Sequence, residues 1–280
     1  MIPLWIEPCA GSLAVGLRVL GVPRSLVGWQ GGKSKYADAI MRTLNVTRAA
    51  EVWCADVSPW APCWEALSRA GVAHEAADLC ERWWSGVRTT ADARAVWDVA
   101  AVSVREAPEV WGAGEVASWV VFVSGCMMSR PDAGTKWRRT TELQVSPGGR
   151  VEMKGRGVGA MLSSRLHTLP PTGLPLRAWH GAASIPPVGG AVVNIDPPYQ
   201  GTTGYQPGDL DRDGVLTLVE RWRSAGSVVA VSETEPLPGG AAVDIGAMVP
   251  RQGRRGTLTA EWLTVYGAAP KGARQGGLFG

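Results

Sequence analysis

Hydrophobic and polar positions alternate between two rhythms along this chain. Pro3–Ile6 is a short apolar run and predicts a buried strand. It runs into Glu7-Pro8-Cys9-Ala10-Gly11-Ser12, after which Leu13–Leu20 has helical spacing and stops at Gly21-Val22-Pro23. Ser34–Leu44 predicts an amphipathic helix, and Glu51–Ala55 a second strand ending at Asp56. From Pro59 to Met128 the period turns helical, with helices expected over Pro62–Ala70, His74–Trp84, Ala91–Glu106 and Gly114–Met127. Ser129–Gly159 is rich in Gly, Arg and Lys and reads as loops with a hairpin near Gly148-Gly149. Strand and helix then alternate again: Val192–Ile195 strand, Leu210–Ser224 helix, Ser227–Ser232 strand and Leu258–Tyr266 strand.

This pattern predicts an α/β protein with a mostly parallel sheet. Residues 1–59 and 166–268 are expected to form one domain, interrupted by a helical and basic insertion over 60–165. Residues 269–280 are expected to be a flexible tail. Ligands of such sheets sit at the C-terminal ends of the strands. Glu7–Ser12, Asp56, Asp196–Tyr199 and Ser232–Pro236 all fall at predicted strand ends. Tryptophans at 64, 83, 84, 97, 111 and 119 lie at helical spacing and are expected in the core.

Composition narrows the class. The chain has 280 residues, is 45% hydrophobic and carries a net charge of only +3. No apolar run approaches the ~18 residues of a membrane-spanning helix. The start lacks a basic segment ahead of an apolar block, so no secretory leader is expected. Five scattered cysteines without a Cys-x-x-Cys pair point to reduced thiols in a cytoplasmic protein, and no zinc spacing is present. No metal is expected. Charge is uneven: Arg130–Arg165 holds eight basic residues against three acidic ones. A local basic patch on a near-neutral body suits a polyanion.

The candidate chemistry centres on Val192-Val193-Asn194-Ile195-Asp196-Pro197-Pro198-Tyr199. An apolar strand ends in two prolines that fix their own φ and donate no hydrogen bond, and the residue before each is held extended. The turn presents a carboxylate, a free carbonyl and an aromatic ring, which together suit a planar amino group. Gly11, between a strand and a helix, permits close approach of a ligand to the backbone, and Asp56 stands where acids bind ribose hydroxyls. Gly-x-Gly-x-x-Gly is absent, against a nicotinamide enzyme. Gly28-Trp29-Gln30-Gly31-Gly32-Lys33-Ser34 invites comparison with a phosphate-binding P-loop, but the required first glycine is Val27.

Taken together, these motifs resemble the Dam-like DNA adenine-N6 methyltransferases. The family's Trp-x-Gly-Gly-Lys loop is matched by Trp29–Lys33, and its Glu-Pro-Phe-x-Gly-x-Gly loop by Glu7–Leu13. Its strand-end acid is matched by Asp56, and Asp-Pro-Pro-Tyr by Asp196–Tyr199. Fainter similarities lie at Ser124–Trp137, Ser164–Leu166, Val231–Glu233 and Glu261–Leu263. The chain departs from the family in order, since its Gly-Gly-Lys loop follows the Glu-Pro loop. Cys9 stands for Phe, and Leu13 for the last Gly.

The resemblance implies a Rossmann-like methyltransferase sheet, S-adenosyl-L-methionine as cofactor, double-stranded DNA as partner and base flipping. It implies a catalytic role for Asp196, Pro197, Pro198 and Tyr199. It places Glu7, Pro8, Gly11, Trp29, Gly31, Gly32, Lys33, Asp56 and Asp196 around the cofactor. Arg130, Lys136, Arg138, Arg139, Lys154, Arg156, Arg254 and Arg255 are expected at DNA phosphates. Cytosine-N4 methylation and a retired DNA-binding scaffold of the same fold remain as alternatives. The recognition sequence and oligomeric state are not legible.

Overall fold

The computed structural model describes residues 1–27, 33–125, 143–145, 151–153, 156–197, 210–248 and 259–267. In chain order the elements begin with β1 (Ile2–Glu7), α1 (Ala14–Val19), a 3-10 turn at Lys33–Lys35, α2 (Ala37–Thr43) and β2 (Ala49–Asp56). A helical stretch follows: α3 (Trp60–Leu67), α4 (Val72–Ser85), α5 (Thr90–Arg105) and α6 (Ala113–Gly125). Then come β3 (Leu143–Val145), β4 (Val151–Met153), α7 (Arg156–His167) and β5 (Leu176–His180). The chain continues with β6 (Val192–Ile195), α8 (Arg212–Ser224), β7 (Val228–Glu233), β8 (Ala241–Met248) and β9 (Thr259–Tyr266). The protein is therefore α/β.

The chain divides into two compact units. One comprises 1–23, 33–55 and 181–280, and the other 24–32 and 56–180. Strands of the first unit run in the order β2-β1-β6-β7-β9-β8 within a seven-stranded sheet. β1 pairs in parallel with β2 and β6, and β6 with β7. β9 is antiparallel to β7 and β8, so the sheet is mixed but mostly parallel at its centre. All four residues of β6 are buried, as expected of a parallel strand covered on both faces. From β1 the chain passes to β2 on one side and later to β6 on the other. The strand order reverses between β1 and β6, the place where open α/β sheets bind ligands.

Three elements departed from the pattern-based expectations: α7, β8 and β5 (Leu176–His180), the last lying where no strand was expected. Glycine and charge made 129–159 read as loops, but α7 begins at Arg156 and runs to His167. Its Gly159 is a packing position: a Cβ there would lie 2.3 Å from the Trp84 side chain. β8 was not foreseen, because Ala241–Met248 lies at the sheet margin and its first four residues are exposed. It lacks the apolar run that marks a buried strand. The hairpin expected near Gly148-Gly149 is present as β3 paired antiparallel with β4.

The second unit is built around α4 packed on α7 and α5 packed on α6. Trp60, Trp64, Trp84, Trp97, Trp111 and Trp119 are all buried. Trp60 stacks on Trp64 at 5.2 Å between ring centroids and meets Trp119 edge-on at 5.4 Å. The Trp97 indole donates to the Phe122 carbonyl at 2.8 Å. Among the described residues no helix is long and apolar enough to cross a membrane.

Candidate active site

Side chains alternate across a strand, so residues two apart share a face, and paired residues on neighbouring strands share it too. Trp5 pairs with Val192, which puts Trp5 and Glu7 on the face of Val192, Asn194 and Asp196. Asn194 pairs with Ala230, which places Ser232 there as well. Ser232 pairs with Leu263, which adds Glu261. One face at the C-terminal edge of the parallel strands thus carries Glu7, Asn194, Asp196, Ser232 and Glu261. A sheet interior rarely gathers so many polar groups without a ligand or a network to satisfy them.

The cation on this face is Lys33, from the 3-10 turn between α1 and α2. Its ammonium lies 2.7 Å from Asp196 Oδ1 and 3.2 Å from Glu261 Oε1. The lysine and Glu261 side chains are 3% and 1% exposed, whereas Asp196 is 22% exposed. Asp196 is therefore the member of the trio nearest solvent. Burial alone would lower the Lys33 pKa, but the Asp196 and Glu261 carboxylates outweigh it and hold the ammonium above its usual range. Burial pushes Asp196 upward, the Lys33 ammonium pulls it down, and the Glu261 charge adds to the upward push. The motif order of this chain does not keep Lys33 from the strand edge. The β1–β2 connection delivers it there.

Glu7 ends β1 and is buried. Burial pushes its carboxyl up to about 8, and the Asp196 charge adds to this. Hydrogen bonds from Trp5, the Gly16 backbone and Asn194 oppose it, with the Trp5 indole donating at 2.8 Å. Near neutral pH Glu7 is mostly protonated, and so able to donate as well as accept. Glu233, at the end of β7, is raised to about 7, first by burial and further by the Asp196 charge. Burial also raises Tyr36, and the Glu261 charge adds to the effect. The asparagine Oδ1 at 194 and the serine Oγ at 232 are buried and have no hydrogen-bond partner.

The loop after β1 is tightly turned. Gly11 has φ +46°, a left-handed conformation that glycine adopts freely. Leu13 also has φ +50°, where the family pattern has glycine. A leucine there is strained, and its side chain is fully buried in compensation. Gly16 makes room for it, since a Cβ at 16 would stand 2.7 Å from Leu13 Cδ1. Pro8 and Pro197 are buried beside their strand ends. Asp56 closes β2 and accepts a hydrogen bond from the Ser58 backbone at 2.8 Å.

Of the residues expected at the site, the structure brings together Glu7, Lys33 and Asp196. Trp29, Gly31, Gly32, Pro198 and Tyr199 lie outside the described residues, as do Arg130, Lys136, Arg138, Arg139, Lys154, Arg254 and Arg255. Arg156 opens α7. Sequence reasoning gave no role to Asn194 or Glu261, and noted Glu233 and Glu261 only as faint similarities. Asn194 and Glu261 were nonetheless visible as polar residues inside apolar strand runs, a signal that alternation alone discounts.

Among the described residues, the edge sets the Lys33 ammonium against Asp196 and Glu261, with Glu233 raised to about 7 and Glu7 mostly protonated beside them. Such a balance favours a ligand with a positive or proton-donating centre over an anionic one. Lys33, which a P-loop would aim at phosphate, is committed to two carboxylates. Among the described residues no group of three His, Cys, Asp or Glu side chains is arranged to hold a metal ion. No protein-family model matches this chain, and no curated protein matches it.

Proposed function

We propose that this chain is an S-adenosylmethionine-dependent DNA methyltransferase that modifies the N6 amine of adenine. The carrying observation is Asp196, which follows β6 beside the β1–β6 reversal, partly exposed and bonded at 2.7 Å to a buried lysine. The finer fold assignment, a Rossmann-like methyltransferase sheet, belongs to the same proposal. It is supported by the β2-β1-β6-β7 order, which has the central arrangement of doubly wound nucleotide-binding sheets.

The residues fit the cofactor's chemistry. S-adenosylmethionine, when bound, supplies an electrophilic methyl on a positively charged sulfur, alongside an ammonium group. An edge with the Asp196 and Glu261 carboxylates against the Lys33 ammonium, and Glu233 raised to about 7 beside them, suits those charges. Gly11, left-handed in the loop that follows Glu7, has no Cβ to hold a ligand off the backbone. Glu7, Pro8, Gly11 and Asp56 would hold the cofactor, with Trp29, Gly31, Gly32 and Lys33 assigned by resemblance.

An adenine amine is a poor nucleophile, because its lone pair is delocalised into the ring. Asp196 and the Pro197 carbonyl would accept its two N–H groups and stabilise the positive charge that grows on nitrogen. By the resemblance, Pro198 would stiffen the turn and Tyr199 would stack on the flipped base. Basic residues at 130, 136, 138, 139, 154, 156, 254 and 255 would contact phosphates of double-stranded DNA. A cytoplasmic location accords with the reduced thiols.

Transfer of labelled methyl from S-adenosylmethionine to unmethylated DNA, followed by nucleoside mass spectrometry, tests the proposal. N6-methyladenine is expected. N4-methylcytosine would move the substrate but keep the grip on the amine, and no label in DNA would overturn the reading. Asp196→Ala is expected to lower transfer by about 10²–10³-fold or more. Its fold should persist, because Lys33 keeps Glu261 as a partner.

A further inference from the structure

The buried cation of this edge is shared unequally. Lys33 and Glu261 are sealed inside, while the second carboxylate on the same ammonium, Asp196, is the more exposed. β9 runs antiparallel beside β7, so its first residues meet the C-terminal end of that strand. That topology brings Glu261 to the edge where Asp196 emerges. An ammonium has three donors and prefers more than one acceptor. Bonded to Asp196 alone, it would spend that carboxylate in a closed pair. With a second carboxylate at 3.2 Å, it stays satisfied when Asp196 turns to another donor.

We propose that Glu261 is a positioning residue for Asp196: it offers Lys33 a second, sealed seat and so leaves Asp196 free to accept the N–H of an incoming amine. This inference rests on the methyltransferase reading for the identity of that amine. Glu261 acts through Lys33 and does not itself touch substrate. With Glu261 neutralised, Lys33 loses its sealed carboxylate and bonds Asp196 more fully, and Asp196 becomes a weaker acceptor that titrates lower. Among the described residues, Glu7 from β1 and Glu233 from β7 feel the Asp196 charge, and Tyr36 from the turn before α2 feels Glu261 and Lys33. Glu233 and Tyr36 also feel the Glu261 charge and shift down with it in a variant at 261, but an aspartate label leaves both silent.

Carboxyl-carbon NMR titration of the full, aspartate-labelled chain tests this without relying on activity. The Asp196 signal is the one lost in Asp196→Asn. In Glu261→Gln it should titrate about one unit or more below its wild-type value; superimposable titrations overturn the proposal, whatever the protein methylates. If the glutamine variant does not fold, Glu261→Asp takes its place. The Asp196 shift should then have the same sign but be smaller, and no shift overturns the proposal.

Methyl transfer is the second readout. Glu261→Gln should lower kcat about tenfold or more, with KM for S-adenosylmethionine unchanged. An unaltered kcat overturns the proposal. If the wild-type chain transfers no methyl, the methyltransferase reading fails, and the carboxyl titration alone judges Glu261.

Discussion

The two units solve burial in opposite ways. The helical unit buries indoles: Trp60, Trp64 and Trp119 are each fully inaccessible and stack or meet edge to face. The sheet unit buries ionisable groups: Glu7, Lys33 and Glu261 are each at most 4% exposed. Buried aromatic surface contributes stability directly. A buried ion cluster often contributes none, because desolvation offsets the attraction. Apolar residues of similar volume would hold the sheet at least as well. The difference teaches where to look for function: the helical core is explained by stability alone, and the charged edge is not.

The sharpest way to break this comparison is to remove the cation. Lys33→Ala takes from the buried Glu261 carboxylate the ammonium 3.2 Å away and should destabilise the sheet unit by about 3–5 kcal/mol in denaturant titration. A loss below about 1 kcal/mol would mean that the site admits water and is not a sealed trio. Trp60→Ala should cost a similar 3–5 kcal/mol by a different route, through the cavity left among Trp64 and Trp119. The two should differ in their response to pH, since only the lysine substitution alters a titrating cluster.

A smaller effect sharpens the electrostatic half. Folded Glu7 titrates near 8 against its ordinary 4.5, so between those values the folded state holds a proton that the unfolded state has lost. Its contribution to stability must therefore fall as pH rises through that window, and level off above it. Glu7→Gln removes the contribution. The stability of wild type relative to Glu7→Gln should decline from pH 5 to pH 8 in thermal or denaturant unfolding. Glu233, raised to about 7, acts in the same direction but is present in both proteins, so it cancels in the difference. A flat difference would place Glu7 in contact with water.

The smallest expected effect lies in the helical unit and serves as a control. The Thr89 hydroxyl accepts from the Asp92 backbone while the Asp92 carboxylate accepts from the Thr89 backbone, a reciprocal cap on α5. Thr89→Ala should cost about 1 kcal/mol with no effect on methyl transfer. A change in transfer would show that α5 is coupled to the chemistry.

Much of the fold was legible because its signals are local. Hydrophobic runs at Val192–Ile195 and Ser227–Ser232 marked buried strands, and helical spacing marked the tryptophan-rich helices. Glycine and proline punctuated the strand ends at Gly11 and Pro197. Those ends located the site residues Glu7 and Asp196 before any pairing was known. α7 was hidden where Gly159 looks like a breaker but serves as a contact for Trp84. β8 was hidden because a marginal, exposed strand has no apolar signature.

By itself, then, the sequence determined the alternation of elements and the acids Glu7, Asp56 and Asp196 at strand ends, because these follow from preferences of residues close in the chain. Only the tertiary structure decided that Lys33, Asp196 and Glu261 share one ion cluster. That depends on strand order and on the antiparallel placement of β9 beside β7. Residues 33, 196 and 261 meet through long-range pairing, and no local pattern records which strand will lie beside which.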